Sequence, residues 1–144
     1  MPEQEQTSGS MDVVTRLLAA TNSHDLARLV ACFAADYVND TPAHPGRGFT
    51  GREQVRANWH QLFASIPDLR ATIVSVSVDG DVVWSEWRMN GTRPDGAPHE
   101  LVGVIVFTIR GNEIAHARFF LEPVEHESGT VDDNIRRATK QATP

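Results

Sequence analysis

The stretch VVWSEWRMN (82–90), followed by GTRPDGAP (91–98) and HELVGVIVFTI (99–109), decides the fold. Two runs rich in β-branched and aromatic residues flank a segment of turn formers, the pattern of a β-hairpin. Side chains alternate across a strand, so Trp84, Glu86, Arg88 and Asn90 share one face of the first arm, and Val83, Ser85, Trp87 and Met89 the other. The second arm is almost unbroken apolar, as a strand covered on both faces should be. If the face with Glu86 and Arg88 turns inward, an acid and a base stand together in an apolar concavity, a natural small-molecule site. If it turns outward, they are a solvated pair of little energetic weight, and Trp87 and Met89 fill the interior.

Outward from the hairpin the period of two persists. RATIVSVSV (70–78) alternates, Asp79-Gly80-Asp81 turns it, and Arg110 to Glu113 turn into a last strand over 114–122. On that strand His116, Arg118, Phe120 and Glu122 share the face expected to point outward or toward a partner subunit. Upstream the period is helical. Ser10 is placed to cap a helix from Met11 to Asn22 carrying Val13, Val14, Leu17 and Leu18, and a second helix runs from His24 to Ala35. A short strand, Tyr37 to Thr41, enters the turn-rich PAHPGRG, and Thr50 with Glu53 forms the signature of a capping box opening a third helix that Pro67 stops. Helices segregated before an antiparallel meander predict an α+β domain, a strongly bent sheet closed by three N-terminal helices. Residues 1–10 are expected to be disordered, 11–123 to form the domain, and 124–144 to form a polar tail, either loose or helical near Asp132 to Thr139.

The chain has 144 residues, enough for one domain, and a net charge of -6 with acids and bases interspersed, which argues against a nucleic-acid partner. The single Cys32 leaves no internal disulfide or cysteine metal site, and its helical apolar surroundings predict an inert buried thiol. MPEQEQTSGS has no apolar core, so neither a signal peptide nor a membrane anchor is expected, and the location predicted is cytoplasmic. The six histidines fall in no metal-ligand spacing, and there is no nucleophile elbow, phosphate loop or dinucleotide fingerprint. Neither a metal nor a cofactor is called for.

FAADYVND (33–40), GREQV (51–55), IPDLR (66–70), NGTR (90–93) and RGNEIAHARFF (110–120) together resemble the SnoaL-like polyketide cyclases. These belong to the nuclear-transport-factor-2-like superfamily, with ketosteroid isomerase and limonene epoxide hydrolase as relatives. The resemblance spans about Met11 to Pro123 and implies a conical α+β barrel around one pocket that hosts many chemistries. Matched to limonene epoxide hydrolase, its catalytic arginine falls on Glu86 and the neighbouring aspartate on Arg88, a pair present but swapped. Its last-strand aspartate, equivalent to the acid/base aspartate of the cyclases, falls on Phe119. The proton-abstracting aspartate of ketosteroid isomerase falls on Asp40, or on Thr41 one residue away, and its two oxyanion donors fall on Leu17 and Ile105, which have nothing to donate. Asp40 before Pro42 can equally be a turn residue.

The resemblance thus implies a catalytic set of Glu86, Arg88 and Asp40. The expected substrate wall comprises Leu17, Trp59, Trp84 and His99, with Ile105, Phe107 and Phe119. His99 is a candidate proton carrier because it shares the alternation class of Ile105. The implied activity is cofactor-independent cyclisation or isomerisation of a hydrophobic small molecule, foremost ring closure of a polyketide intermediate, with acid-light or pericyclic closure admissible. A non-catalytic binding module and an epoxide hydrolase are the alternatives. A homodimer through the outer sheet face is expected, since that face would otherwise leave apolar residues wet.

Overall fold

Helix α1 (Pro2–Ser23) and the short α2 (Leu26–Ala31) precede strands β1 (Phe33–Asp40) and β2 (Phe49–Thr50) in the computed structural model, which describes residues 2–126 and 129–140. Helix α3 (Arg52–Ser65) leads into β3 (Arg70–Asp79), β4 (Val82–Thr92), β5 (Pro98–Arg110) and β6 (Glu113–Pro123), and α4 (Val131–Thr139) follows. The six strands form one curved, open sheet in the order β2-β1-β6-β5-β4-β3. β3 to β6 are the antiparallel meander, and β1 joins it by pairing parallel to β6. The fold is α+β, with the apolar core between helices and sheet.

Helix α1 buries Val13, Val14, Leu17 and Ala20 and packs on β3 and β4. The helix is fastened to the sheet at two points, its middle and its C-terminal end. Ser10 Oγ donates to the Gly80 carbonyl at 3.0 Å, tying the helix to the β3–β4 turn rather than capping it. Asn22 clasps the backbone of Ala71, donating to its carbonyl at 2.9 Å and accepting from its N–H at 2.7 Å. Those backbone groups belong to an edge strand and are thereby kept from pairing elsewhere. The expected disorder of residues 1–10 is corrected for residues 2–10, which are helical: once a helix is nucleated and packed, adding Glu and Gln residues to its end is cheap. Met1, residues 127–128 and residues 141–144, parts of the expected N-terminal segment and tail, lie outside the described residues.

Two further local expectations change. The second helix ends at Ala31 instead of Ala35, because the Cys32 carbonyl accepts from Ile114 N–H at 2.7 Å and Phe33 pairs with Ile114, drawing the chain into β1. The Thr50–Glu53 capping box does not form. Thr50 is paired with Val38 in β2, and Gly51 at φ 101° stands before α3 with no side-chain cap. Strands β5 and β6 approach closely at Gly103, whose φ is 149° and where an added Cβ would lie 2.0 Å from the Phe120 carbonyl oxygen. Only glycine allows β5 and β6 that approach. In the tail, α4 starts with a capping box between Thr130 and Asp133. Among the described residues, no helix is long and apolar enough to cross a membrane.

Candidate functional site

Strand β4 settles which of its two faces is inside. Val83, Ser85, Trp87 and Met89 are buried, Trp87 to 1% exposure, while Trp84, Glu86, Arg88 and Asn90 are exposed. The buried face contains its own hydrogen-bond partners: Trp87 Nε1 donates to Ser85 Oγ at 2.7 Å, and Ser85 Oγ donates to the Ile105 carbonyl at 2.7 Å. Turning the strand over would bury Glu86 and Arg88, and taking two charges out of water costs more than their mutual attraction returns. The expectation that Glu86 and Arg88 form the catalytic pair is corrected accordingly; both lie on the outer face. Trp84 is there too, 46% exposed, with the Arg118 guanidinium 5.7 Å from its ring centre.

A cavity of about 280 Å³ opens between the inner face of the sheet and α3, near the lower end of the range for small-molecule sites. Trp59 and Leu62 of α3 form one wall, and Met89, Leu101, Phe119 and Leu121 of the sheet face them. Of the residues expected to line a pocket, Trp59, His99 and Phe119 do so. Leu17, Ile105 and Phe107 do not; they belong to the close-packed core, where Phe107 meets Trp87 edge-on at 6.2 Å. An apolar side chain on the right face of a strand can as readily be buried beneath a cavity as in its wall.

The polar lining consists of Tyr37, Asn39, Thr41, Arg47, Asn58 and His99, with no carboxylate among the described residues that line it. Strand β1 supplies the first two by alternation, Tyr37 and Asn39 inward, Val38 and Asp40 outward. Asp40 is therefore also corrected: its carboxylate lies 2.6 Å from His116 Nε2 on the outside. Tyr37 is 1% exposed and its hydroxyl donates to Asn39 Oδ1 at 2.7 Å. Burial, reinforced by the charge of Asp40, pushes the Tyr37 phenol far above its ordinary value, so it stays a donor. With Oδ1 engaged by Tyr37, the Asn39 amide N–H groups remain as donors.

His99 stands at the start of β5, partly buried. Burial, and secondarily the charge of Arg93, lower its pKa, so the imidazole is neutral at neutral pH and able to accept a proton. Asn58 Oδ1 accepts from Gln54 Nε2 at 2.8 Å, which directs its amide nitrogen elsewhere. Arg47 ends a 3₁₀ turn, Pro45–Arg47, in the loop between β1 and β2. Sequence reasoning missed Tyr37, Asn39, Arg47 and Asn58. Placing the chain's one tyrosine inside would have set the parity of β1 and found Asn39, whereas Arg47 lies in a loop without periodicity.

Residues 14–117 match the SnoaL-like domain family. No curated protein sequence matches the chain. The chain is similar to a Catenulispora acidiphila protein with a ketosteroid isomerase-like fold, solved with trimethylamine, at 27% identity and a TM-score of 0.65 over 74% of this chain and 82% of that one. It is similar to IdmH of Streptomyces antibioticus, a proposed polyketide cyclase, at 26% identity and a TM-score of 0.68 over 78% and 91%. A Mycobacterium tuberculosis epoxide hydrolase of the limonene epoxide hydrolase-like type shares the fold at 16% identity, with a TM-score of 0.71 over 81% and 84%. By the family match across most of its length, the chain belongs to the SnoaL-like domain family.

Proposed function

We propose that this protein binds a hydrophobic small molecule in the cavity under α3 and promotes its cyclisation or isomerisation without a cofactor. The observation that carries the reading is an apolar cavity whose polar groups are a neutral imidazole, His99, and hydrogen-bond donors led by the Tyr37–Asn39 pair. In an intramolecular aldol closure, His99 would take a proton from the carbon next to a carbonyl. The enolate formed would attack a second carbonyl of the same molecule, and protonated His99 would return the proton to the new alkoxide, so the product is an isomer of the substrate. Donation from Tyr37 polarises the Asn39 amide, whose N–H groups are suited to a developing oxyanion. The likeness to IdmH supports a polyketide intermediate as the substrate.

A second reading, a binding module without turnover, is favoured by one observation: no carboxylate is among the described residues that line the cavity. The two divide on His99→Ala, examined with polycyclic ketones bearing enolisable positions. Ligand uptake is read by Trp59 fluorescence and conversion by chromatography. The enzyme reading expects conversion by the parent protein that is lost in His99→Ala with binding retained; binding without conversion in both favours the module. The homodimer remains part of the proposal, supported by Trp84, Val102 and Phe120, which are 46%, 39% and 40% exposed on the outer face with Glu86 and Arg88 among them. Light scattering that gives the mass of one chain would refute it.

A further inference from the structure

We propose that Arg47 makes the cavity selective for ligands that carry an anionic group at one end of an apolar body, the anion resting at the mouth of the cavity. The inference rests on the cavity being the ligand site and names the class of molecule it takes. Arg47 is the one arginine or lysine among the described lining residues, and no carboxylate accompanies it there. It forms no ion pair among the described residues, in contrast to Arg28, Arg52, Arg56, Arg110 and Arg136. The glutamates of the neighbouring strand ends do not neutralise it either. Glu122 is held by His44 at 2.8 Å and Glu100 by His126 at 3.3 Å. In a chain of net charge -6, a cation left without a partner at the rim of an apolar cavity is a local exception.

The loop that presents it is fastened on both sides. Arg47 N–H donates to the His44 carbonyl at 2.9 Å, His44 N–H donates to the Thr41 carbonyl at 2.7 Å, and the His44 ring is joined to Glu122 on β6. Pro42 and Pro45 restrict the same loop. The guanidinium is thereby carried on backbone already ordered before a ligand arrives, which reduces the entropy lost on binding. A planar guanidinium suits a carboxylate through two parallel hydrogen bonds, with the hydrocarbon body held between Trp59 and Phe119.

The test uses naphthalene, anthracene and phenanthrene carboxylates, each paired with its primary amide, titrated into the full chain by calorimetry. At least one acid should bind about tenfold tighter than its amide at low salt, with the preference shrinking as salt is raised. Arg47→Gln should weaken the acid to the level of the amide and leave the amide unchanged, Arg47→Lys should keep part of the preference, and Arg88→Gln on the outer face should change neither. Equal binding of acid and amide by the parent protein, or equal weakening of both by Arg47→Gln, would overturn the role of Arg47 while leaving the cavity as the ligand site. If none of the acids or amides binds, the ligand-site reading fails, and this inference with it.

Discussion

Tyr37 is the chain's only tyrosine, so its ionisation can be followed without interference from another phenol. Its hydroxyl is buried and bonded to Asn39 Oδ1 at 2.7 Å, and its folded-state pKa is raised above the ordinary value of 10.0, with desolvation the main cause and Asp40 the second. A raised pKa contributes stability that is complete below the unfolded value and is lost as pH climbs above it, because the unfolded chain ionises first. At pH 11, one unit above the unfolded value, the loss from this residue is about 1.4 kcal/mol. Replacing it in Tyr37→Phe removes that loss but leaves Asn39 Oδ1 without its donor, at a cost of about 1–3 kcal/mol at every pH. In urea unfolding at pH 7, with a slope of about 2 kcal/mol/M, the variant midpoint should fall by about 0.5–1.5 M. Between pH 9 and pH 11 the gap between parent and variant should narrow by about 1.4 kcal/mol. Burial also raises the Cys32 thiol, but that group is present in both proteins and cancels in the comparison. Phenolate absorbance appearing with a midpoint near 10 while the fold persists would refute the buried hydrogen-bonded phenol.

Gly103→Ala should destabilise by about 3 kcal/mol or more, lowering the melting temperature by about 10 °C, since the new methyl would collide with the Phe120 carbonyl at a backbone angle that disfavours a side chain. Ser85→Ala should cost about 1–3 kcal/mol in urea unfolding by stranding the Trp87 N–H and shift the tryptophan emission, because the indole loses its acceptor. Glu86→Gln and Arg88→Met should leave both the urea midpoint and ligand uptake unchanged; loss of uptake in either would put β4 the other way round.

The meander was legible because alternation over β3 to β6 is a local property of each strand, and the hairpin turns sit where glycine and aspartate place them. Which face of β4 turns inward was not. Both faces contain a tryptophan and polar groups, and the choice depends on Ser85 bridging the Trp87 indole to the Ile105 carbonyl, a contact between strands that no single strand records. Glu86 and Arg88 stand two residues apart on one face, a pattern that suits a pocket and a solvated strand surface equally. On β1 the strand was visible but its parity was not, and one residue of register exchanges Asp40 for Asn39. The division between cavity wall and packed core, Phe119 against Phe107, depends on packing between elements that no single strand records.

The parallel pairing of β1 with β6 constrains the order in which the molecule can be made. Strand β1 pairs with β2 and β6, so its one partner within the meander, which meets Asn39 and Asp40 at Ala117 and Arg118, is synthesised after every other strand. Joining strands so distant in sequence requires closing most of the chain into one loop, a step that slows folding relative to the local β3–β4 and β4–β5 hairpins. The meander can therefore form before the cavity has a floor, and a nascent chain that halts before β6 exposes β5's long apolar edge with nothing to pair it. The wall that Phe119 and Leu121 give the cavity is the last part of it to be made.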